Sequence, residues 1–196
     1  GNSEITLEFL KLSQNYFNEF HLNFRSKKKY KYKFINKKKI FFYQSDLKNS
    51  KQTIKFLQRL PNDITDILWV SGYSGKANLE FEKSDQLQNN INVNFVNVMI
   101  SINYTLNHKF NFINKNQHIC VLTSVAGLRG RKKNMFYGAA KSGLISYLSG
   151  LRQKYDKKIH VCTIIPGYIN TTEFKKLGIQ CPKFLITEPK KCAEII

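Results

Sequence analysis

The chain has 196 residues, with 32 Lys and Arg against 13 Asp and Glu, for a formal charge of +19. That length favours one domain. A hydrophobic content of 42% with 13% aromatics is enough for a packed core and excludes a globally disordered chain. The longest apolar runs, such as Ile67-Leu68-Trp69-Val70, are far short of the ~20 residues a membrane-spanning helix needs.

The opening residues Gly1-Asn2-Ser3-Glu4 have neither the basic nor the apolar region of a secretory leader, so the expected location is cytoplasmic. Residues 4–19 place Ile5, Phe9, Leu12, Tyr16 and Phe17 at helical spacing. Phe20-His21-Leu22-Asn23-Phe24 alternates like a strand and is followed by a basic stretch, Arg25 to Lys39, that contains no acid. Ile40 to Tyr43 reads as a strand, then Ser45-Asp46 leads into a helix through Leu60, which Pro61-Asn62 ends. A strand over Ile67 to Val70 runs into the loop Ser71-Gly72-Tyr73-Ser74-Gly75, and a long helix lies within 84–110. His118 to Leu122 is a strand, 135–155 a helix and Ile159 to Ile165 a strand closed by Pro166-Gly167; a further helix begins near Pro189. Apolar strands separated by helix-length segments predict βαβ units and an α/β fold built on a parallel sheet.

Cys120, Cys162, Cys181 and Cys192 form no C-x-x-C pair, and His21, His108, His118 and His160 have no ligand spacing. Neither a metal site nor a disulfide framework is expected. Of the basic residues 27 are Lys and five Arg, and Asn numbers 20. An AT-rich coding bias accounts for that joint excess without a polyanionic partner. Tyr30, Tyr32 and Phe34 do interleave with lysines in the basic stretch, a pattern that can stack bases. That nucleic-acid reading is the weaker one, because the stretch joins two strands of the presumed domain.

Tyr137 and Lys141 in Tyr137-Gly138-Ala139-Ala140-Lys141 are four residues apart and share a helix face. A free phenol titrates near ~10. A neighbouring ammonium is expected to lower that value and make the hydroxyl a usable acid or base. Ser124 lies 13 residues before Tyr137, directly after the strand ending at Leu122. Open α/β sheets bind ligands at that end of their strands, and a hydroxyl there can steady charge growing on a substrate oxygen. A second strand-end loop follows at Pro166-Gly167-Tyr168-Ile169-Asn170-Thr171.

In order and spacing these motifs resemble the short-chain dehydrogenase/reductase family from Gly1 to about Thr171. The resemblance implies a doubly wound, Rossmann-like parallel sheet in one domain over 1–196, lacking its first strand and last elements. It implies hydride transfer between a nicotinamide cofactor and a carbonyl compound or secondary alcohol. Ser124 would orient the carbonyl, Tyr137 act as acid/base, Lys141 tune it and hold the nicotinamide ribose, and Asn94 support a proton relay. Cofactor contacts fall to Gly1, Asn2, Ser3, Glu4, Ile5, Arg25, Asp46, Gly72, Tyr137, Lys141, Pro166, Gly167, Ile169 and Thr171.

The glycine-rich phosphate loop departs from the family pattern, with Glu4 and Thr6 where its second and third glycines belong. The start is therefore expected to be truncated, and a catalytically impaired fragment of the same fold is the alternative. Ser3-Glu4-Ile5, residues 130–134 and Pro182 to Pro189 are similar to one branch, the reductases of polyprenyl-phosphate-linked keto sugars. No Asp or Glu lies between Glu19 and Asp46 to hold a ribose 2′-hydroxyl, whereas Arg25 suits a 2′-phosphate, which favours NADP over NAD. The family likeness also implies a homodimer or homotetramer.

Overall fold

Two compact units, Gly1–Asp46 with Gly167–Ile196 and Leu47–Pro166, make up the computed structural model, which describes residues 3–25, 39–73, 84–111, 116–132 and 134–196. Residues 26–38 of the basic stretch, and with them the base-stacking aromatics, lie outside the described residues.

In the first unit, helix α1 (Glu4–Ser13) buries Ile5 and Leu10. It ends earlier than the 4–19 expected from periodicity: Ser13 Oγ bonds back to Phe9 O at 2.7 Å, the chain turns, and Tyr16 is 84% exposed. A side-chain hydroxyl that competes for helix carbonyls favours such a stop. Strands β1 (Glu19–Phe24) and β2 (Lys39–Gln44) run parallel with Glu19 opposite Lys39 and Phe24 opposite Gln44. Phe20 and Leu22 of β1 form a small core with Leu10, against which Phe17 and Ile40 pack. Further on, the short strands β6 (Tyr168–Ile169) and β7 (Ile186–Thr187) pair in parallel. Helix α6 (Thr172–Lys176) lies between them, and α7 (Pro189–Ala193), opened by its proline, packs against α1.

In the second unit, helix α2 (Ser50–Gln58) is capped by Asn49, whose Oδ1 accepts from Gln52 N at 3.1 Å. Strands β3 (Asp66–Trp69), β4 (His118–Leu122) and β5 (His160–Ile164) form a parallel sheet in that spatial order. Asp66, His118 and His160 stand in register at its leading edge. The predicted long helix is three pieces: α3 (Ser84–Ile91), a π turn over Asn92–Val96, and α4 (Asn97–His108). Helix α5 (Met135–Lys154) connects β4 to β5. The core lies between the sheet and these helices, with Val98 and Ile102 of α4, Ile119 and Val121 of β4, and Leu144 and Leu148 of α5 fully enclosed.

The second unit also buries a cation. Lys109 Nζ, after α4, donates to Leu60 O at 2.6 Å and Asn62 Oδ1 at 2.9 Å. It thereby satisfies carbonyls freed where α2 ends, an end that favours positive charge. Cys120 of β4 and Cys162 of β5 are register partners and are not joined in a disulfide. Among the described residues, no helix is long and apolar enough to cross a membrane, and no group of three His, Cys, Asp or Glu is placed to hold a metal ion.

Candidate active site

The end of β4 delivers Ser124. Thr123, just before it, is buried and bonds through Oγ1 to Ile164 O of β5 at 2.8 Å. Just after it, Val125 N donates to Pro166 O at 3.1 Å. These two ties fix the turn against the end of β5. Ser124 is extended and caps a single 3-10 turn, Val125–Gly127, its Oγ accepting from Ala126 N at 3.1 Å.

That turn sits directly on α5, and two glycines allow it. A Cβ on Gly127 would come within 2.8 Å of the backbone of Lys141 and Ser142, and a Cβ on Gly138 within 2.9 Å of Ala126 O. Backbone does not yield as a side-chain tip does, so a methyl at Gly127 forces the turn off the helix. Gly127→Ala is expected to cost about 1–3 kcal/mol of stability and to lower the melting temperature. Gly130→Ala, which meets nothing within 4 Å, serves as the neutral control. Equal melting temperatures for the two variants would refute the close seam.

The seam brings Ser124, Tyr137 and Lys141 together. The Ser124 side chain hydrogen-bonds the Tyr137 hydroxyl. Lys141 is 2% exposed, and its Nζ lies 5.7 Å from the Tyr137 ring centroid and donates to Leu122 O at 3.1 Å. The sequence-based expectation that the ammonium lowers the phenol pKa is not met. Burial pushes Tyr137 above its usual value, and the Ser124 hydrogen bond offsets only part of that rise. Burial also pulls Lys141 down to about 8, since desolvation disfavours its charged form. Both shifts favour a phenol that holds its proton at neutral pH.

Asn94 sits in the π turn, a local widening of the helix that often marks functional positions. It is fully buried. Its Oδ1 accepts from Tyr73 N at 3.0 Å, and its Nδ2 donates to Tyr73 O at 2.5 Å and to Asn90 O and Oδ1 at 3.0 Å each. These bonds commit the Asn94 amide to Tyr73 in the loop after β3 and to Asn90. Gly72 lies in the same loop. A Cβ there would stand 3.3 Å from Asn94 Oδ1 and 3.7 Å from Lys141 Nζ, so the bare backbone leaves an open cradle beside the ammonium.

Sequence reasoning missed Asn90, the partner of Asn94, and the two asparagines beside it that tie the helix to residues 47 and 48. Asn90 is buried beneath it, Asn97 Nδ2 donates to Leu47 O at 2.7 Å, and Asn92 Nδ2 donates to Lys48 O at 3.3 Å. Their recurrence at 90, 92, 94 and 97 is visible in the sequence, yet was absorbed into the compositional excess of Asn.

The remaining predicted residues are distributed as follows. Pro166 anchors the Ser124 turn as described. In the first unit, Gly1 and Asn2 lie outside the described residues, Ser3 precedes α1 without a side-chain capping bond, and Ile5 is a core residue. Glu4 accepts from Thr172 N at 2.8 Å and from Thr172 Oγ1 at 2.9 Å. Arg25 is exposed at the end of β1, where its carbonyl accepts from Gln44 Nε2 at 3.3 Å, and Asp46 follows β2. Gly167 precedes β6, Ile169 lies in it, and Thr171 caps α6 through a 3.2 Å bond from Phe174 N.

A nicotinamide cofactor is tested by what Lys141 and Gly72 offer. Leu122 O is the one hydrogen-bond acceptor of Lys141 among the described residues, which leaves two N–H donors of a buried ammonium beside the cradle at Gly72. Ribose hydroxyls suit such donors, so the residues fit.

The solved structures similar to this chain share its fold. A short-chain dehydrogenase from Sphingobium yanoikuyae in complex with NADPH superposes with a TM-score of 0.82 at 16% identity, covering 98% of this chain and 78% of that one. A short-chain dehydrogenase/reductase from Serratia marcescens gives 0.81 at 13% identity, over 100% and 85%. One from Burkholderia cenocepacia in complex with NADP gives 0.78 at 14% identity, over 98% and 84%. No curated protein matches the chain. The family model described as short chain dehydrogenase matches residues 23–181. That span includes β4 with Ser124, the Asn94 helix and α5 with its Tyr137–Lys141 pair, and it makes the chain a member of the short-chain dehydrogenase family, an oxidoreductase with parallel sheets flanked by helices.

Proposed function

We propose that the chain reduces the carbonyl group of a small molecule with NADPH, or oxidises the corresponding secondary alcohol in reverse. The observation that carries this reading is the convergence of the Ser124 side chain, the Tyr137 hydroxyl and the Lys141 ammonium in one buried corner. A dihydronicotinamide, when bound, would supply the hydride that the carbonyl carbon accepts, with the C=O electron pair passing to oxygen and the nicotinamide left oxidised. Tyr137 Oη gives its proton to that oxygen and becomes a phenolate, which the nearby ammonium stabilises. Ser124 Oγ donates to the same oxygen and fixes the direction from which the carbonyl is presented. Lys141 holds the nicotinamide ribose with its remaining donors, and Asn94 keeps the loop carrying Gly72 in place for that contact. Solvent then returns a proton to Tyr137.

The preference for NADP(H) over NAD(H) rests on Arg25 at the end of β1, with no acid between Glu19 and Asp46. Two of the similar structures carry NADPH or NADP. Fluorescence titration is expected to show NADPH binding at least about tenfold tighter than NADH. Arg25→Asp should erase that difference, whereas equal affinities in the unaltered chain would overturn the preference. The exposed Arg129 and Lys132 between Ser124 and Tyr137 suit a phosphate-bearing substrate, which supports the finer likeness to reductases of polyprenyl-phosphate-linked keto sugars. A cytoplasmic homodimer or homotetramer completes the proposal.

A second reading is favoured by one observation: Glu4 puts a carboxylate at the first turn of α1, the helix end expected to receive the cofactor pyrophosphate. A chain impaired in cofactor binding would show no NADPH fluorescence change at all.

A further inference from the structure

The N-terminus of a helix favours an anion because its first N–H groups have no partner within the helix. A carboxylate in the first turn is drawn toward those groups by the helix dipole. Glu4 is held elsewhere. Both of its carboxylate oxygens are taken by one residue in the following part of the unit, Oε2 by Thr172 N at 2.8 Å and Oε1 by Thr172 Oγ1 at 2.9 Å. Ser3, the capping residue of α1, makes no side-chain capping bond either. The first turn of α1 is therefore free of both side chains. The receiving end is well built for a carboxylate: Thr172 is the first residue of α6, its N–H is one of that helix's own unpaired donors, and Thr171 Oγ1 covers another by accepting from Phe174 N at 3.2 Å.

We propose that Thr172 is a positioning residue for cofactor binding: by holding the Glu4 carboxylate at the start of α6, it keeps that charge off the α1 N-terminus and leaves the amides there for the cofactor diphosphate. This inference rests on the assignment of the Ser3–Ile5 segment to the cofactor. It accounts for how a chain with glutamate at a glycine position retains the site, since the charge is drawn away sideways and shared between two hydrogen bonds. It also makes the segment after β6 and the start of α1 a single device, tied through one side chain.

Thr172→Val removes the hydroxyl donor with little change in volume and loosens the carboxylate. Released, Glu4 swings onto the amides of its own helix and repels the diphosphate. NADPH affinity, read by fluorescence titration of the whole chain, is expected to fall about tenfold in Thr172→Val. Glu4→Gln removes the charge and should raise affinity. The double variant Thr172→Val with Glu4→Gln should recover the affinity that Thr172→Val alone loses. A merely structural tie gives another pattern, with Glu4→Gln weakening binding as much as Thr172→Val and the double variant showing no recovery. That pattern overturns the proposal, as does an unchanged affinity in Thr172→Val. Circular dichroism melts of each variant separate a local effect from loss of fold. If the unaltered chain binds no NADPH, the cofactor assignment itself fails and this inference goes with it; binding by the unaltered chain without recovery in the double variant sinks the inference alone.

Discussion

Tyr137→Phe is expected to lower turnover by about 10²–10⁴-fold, the range a positioned general acid contributes, while NADPH binding stays within about twofold of the unaltered chain. The substitution deletes only the oxygen that Ser124 bonds and that carries the transferable proton, and the ring keeps its place beside Lys141. The loss should therefore fall on kcat and not on cofactor affinity. The pH dependence is equally specific. Because burial holds the Tyr137 proton above its usual range, carbonyl reduction should be flat through neutral pH and should decline as Lys141 loses its charge above about 8. Stopped-flow measurement of NADPH oxidation against a ketone panel reads both effects. Retained turnover in Tyr137→Phe would remove the tyrosine from the mechanism.

Lys141→Met is the second large effect, and it moves activity and stability in opposite directions. Turnover should fall by at least about 10²-fold, since the phenolate then forms without a neighbouring positive charge. Stability should rise below pH 8. The Lys141 pKa falls to about 8 in the folded chain from a usual value of 10.5, so burial disfavours its charged form. Below pH 8 both the folded and the unfolded chain hold the proton, and the folded chain bears the whole desolvation cost. Between about 8 and 10.5 the unfolded chain holds more of that proton, so stability climbs with pH and the cost is gone above 10.5. The full span is on the order of 3 kcal/mol. Methionine fills the same space without a charge but gives up the 3.1 Å bond to Leu122 O. Melting temperatures at pH 7 and pH 10 test the sign: the variant's advantage should be present at pH 7 and shrink at pH 10. A variant less stable than the parent at pH 7 would show that the hydrogen bond outweighs the burial cost.

The parts of this site legible in the sequence were those encoded by short covalent spacing. Tyr137 and Lys141 lie one helical turn apart, and Ser124 follows an apolar strand; neither fact depends on the rest of the fold. The strands around Phe20, Ile40, Ile67, Ile119 and Val161 were likewise readable, because buried parallel strands leave apolar runs with little ambiguity. What the sequence concealed depends on tertiary approach. Nothing in the local pattern shows that Gly127 and Gly138 press a turn against a helix, because the closeness belongs to two segments at once. The direction of the Tyr137 shift was misread for a related reason: spacing counts charges along a helix, whereas burial is set by everything packed around it. The π turn escaped detection because its asparagines read as composition, and helical periodicity does not register one residue of widening.

Asn94 has a consequence for the loop beyond fixing its position. By accepting from the N–H of Tyr73 and donating to its C=O, one side-chain amide imitates a peptide unit of a neighbouring strand. Tyr73, four residues past the end of β3, is thereby held by a surrogate rung that no backbone supplies. Such a rung needs a donor and an acceptor on the same planar group. Aspartate, equal in size, has acceptors only when ionised, and leucine has neither. An interchange that sequence comparison would score as mild therefore removes half of a pairing on which the cradle beside Lys141 depends.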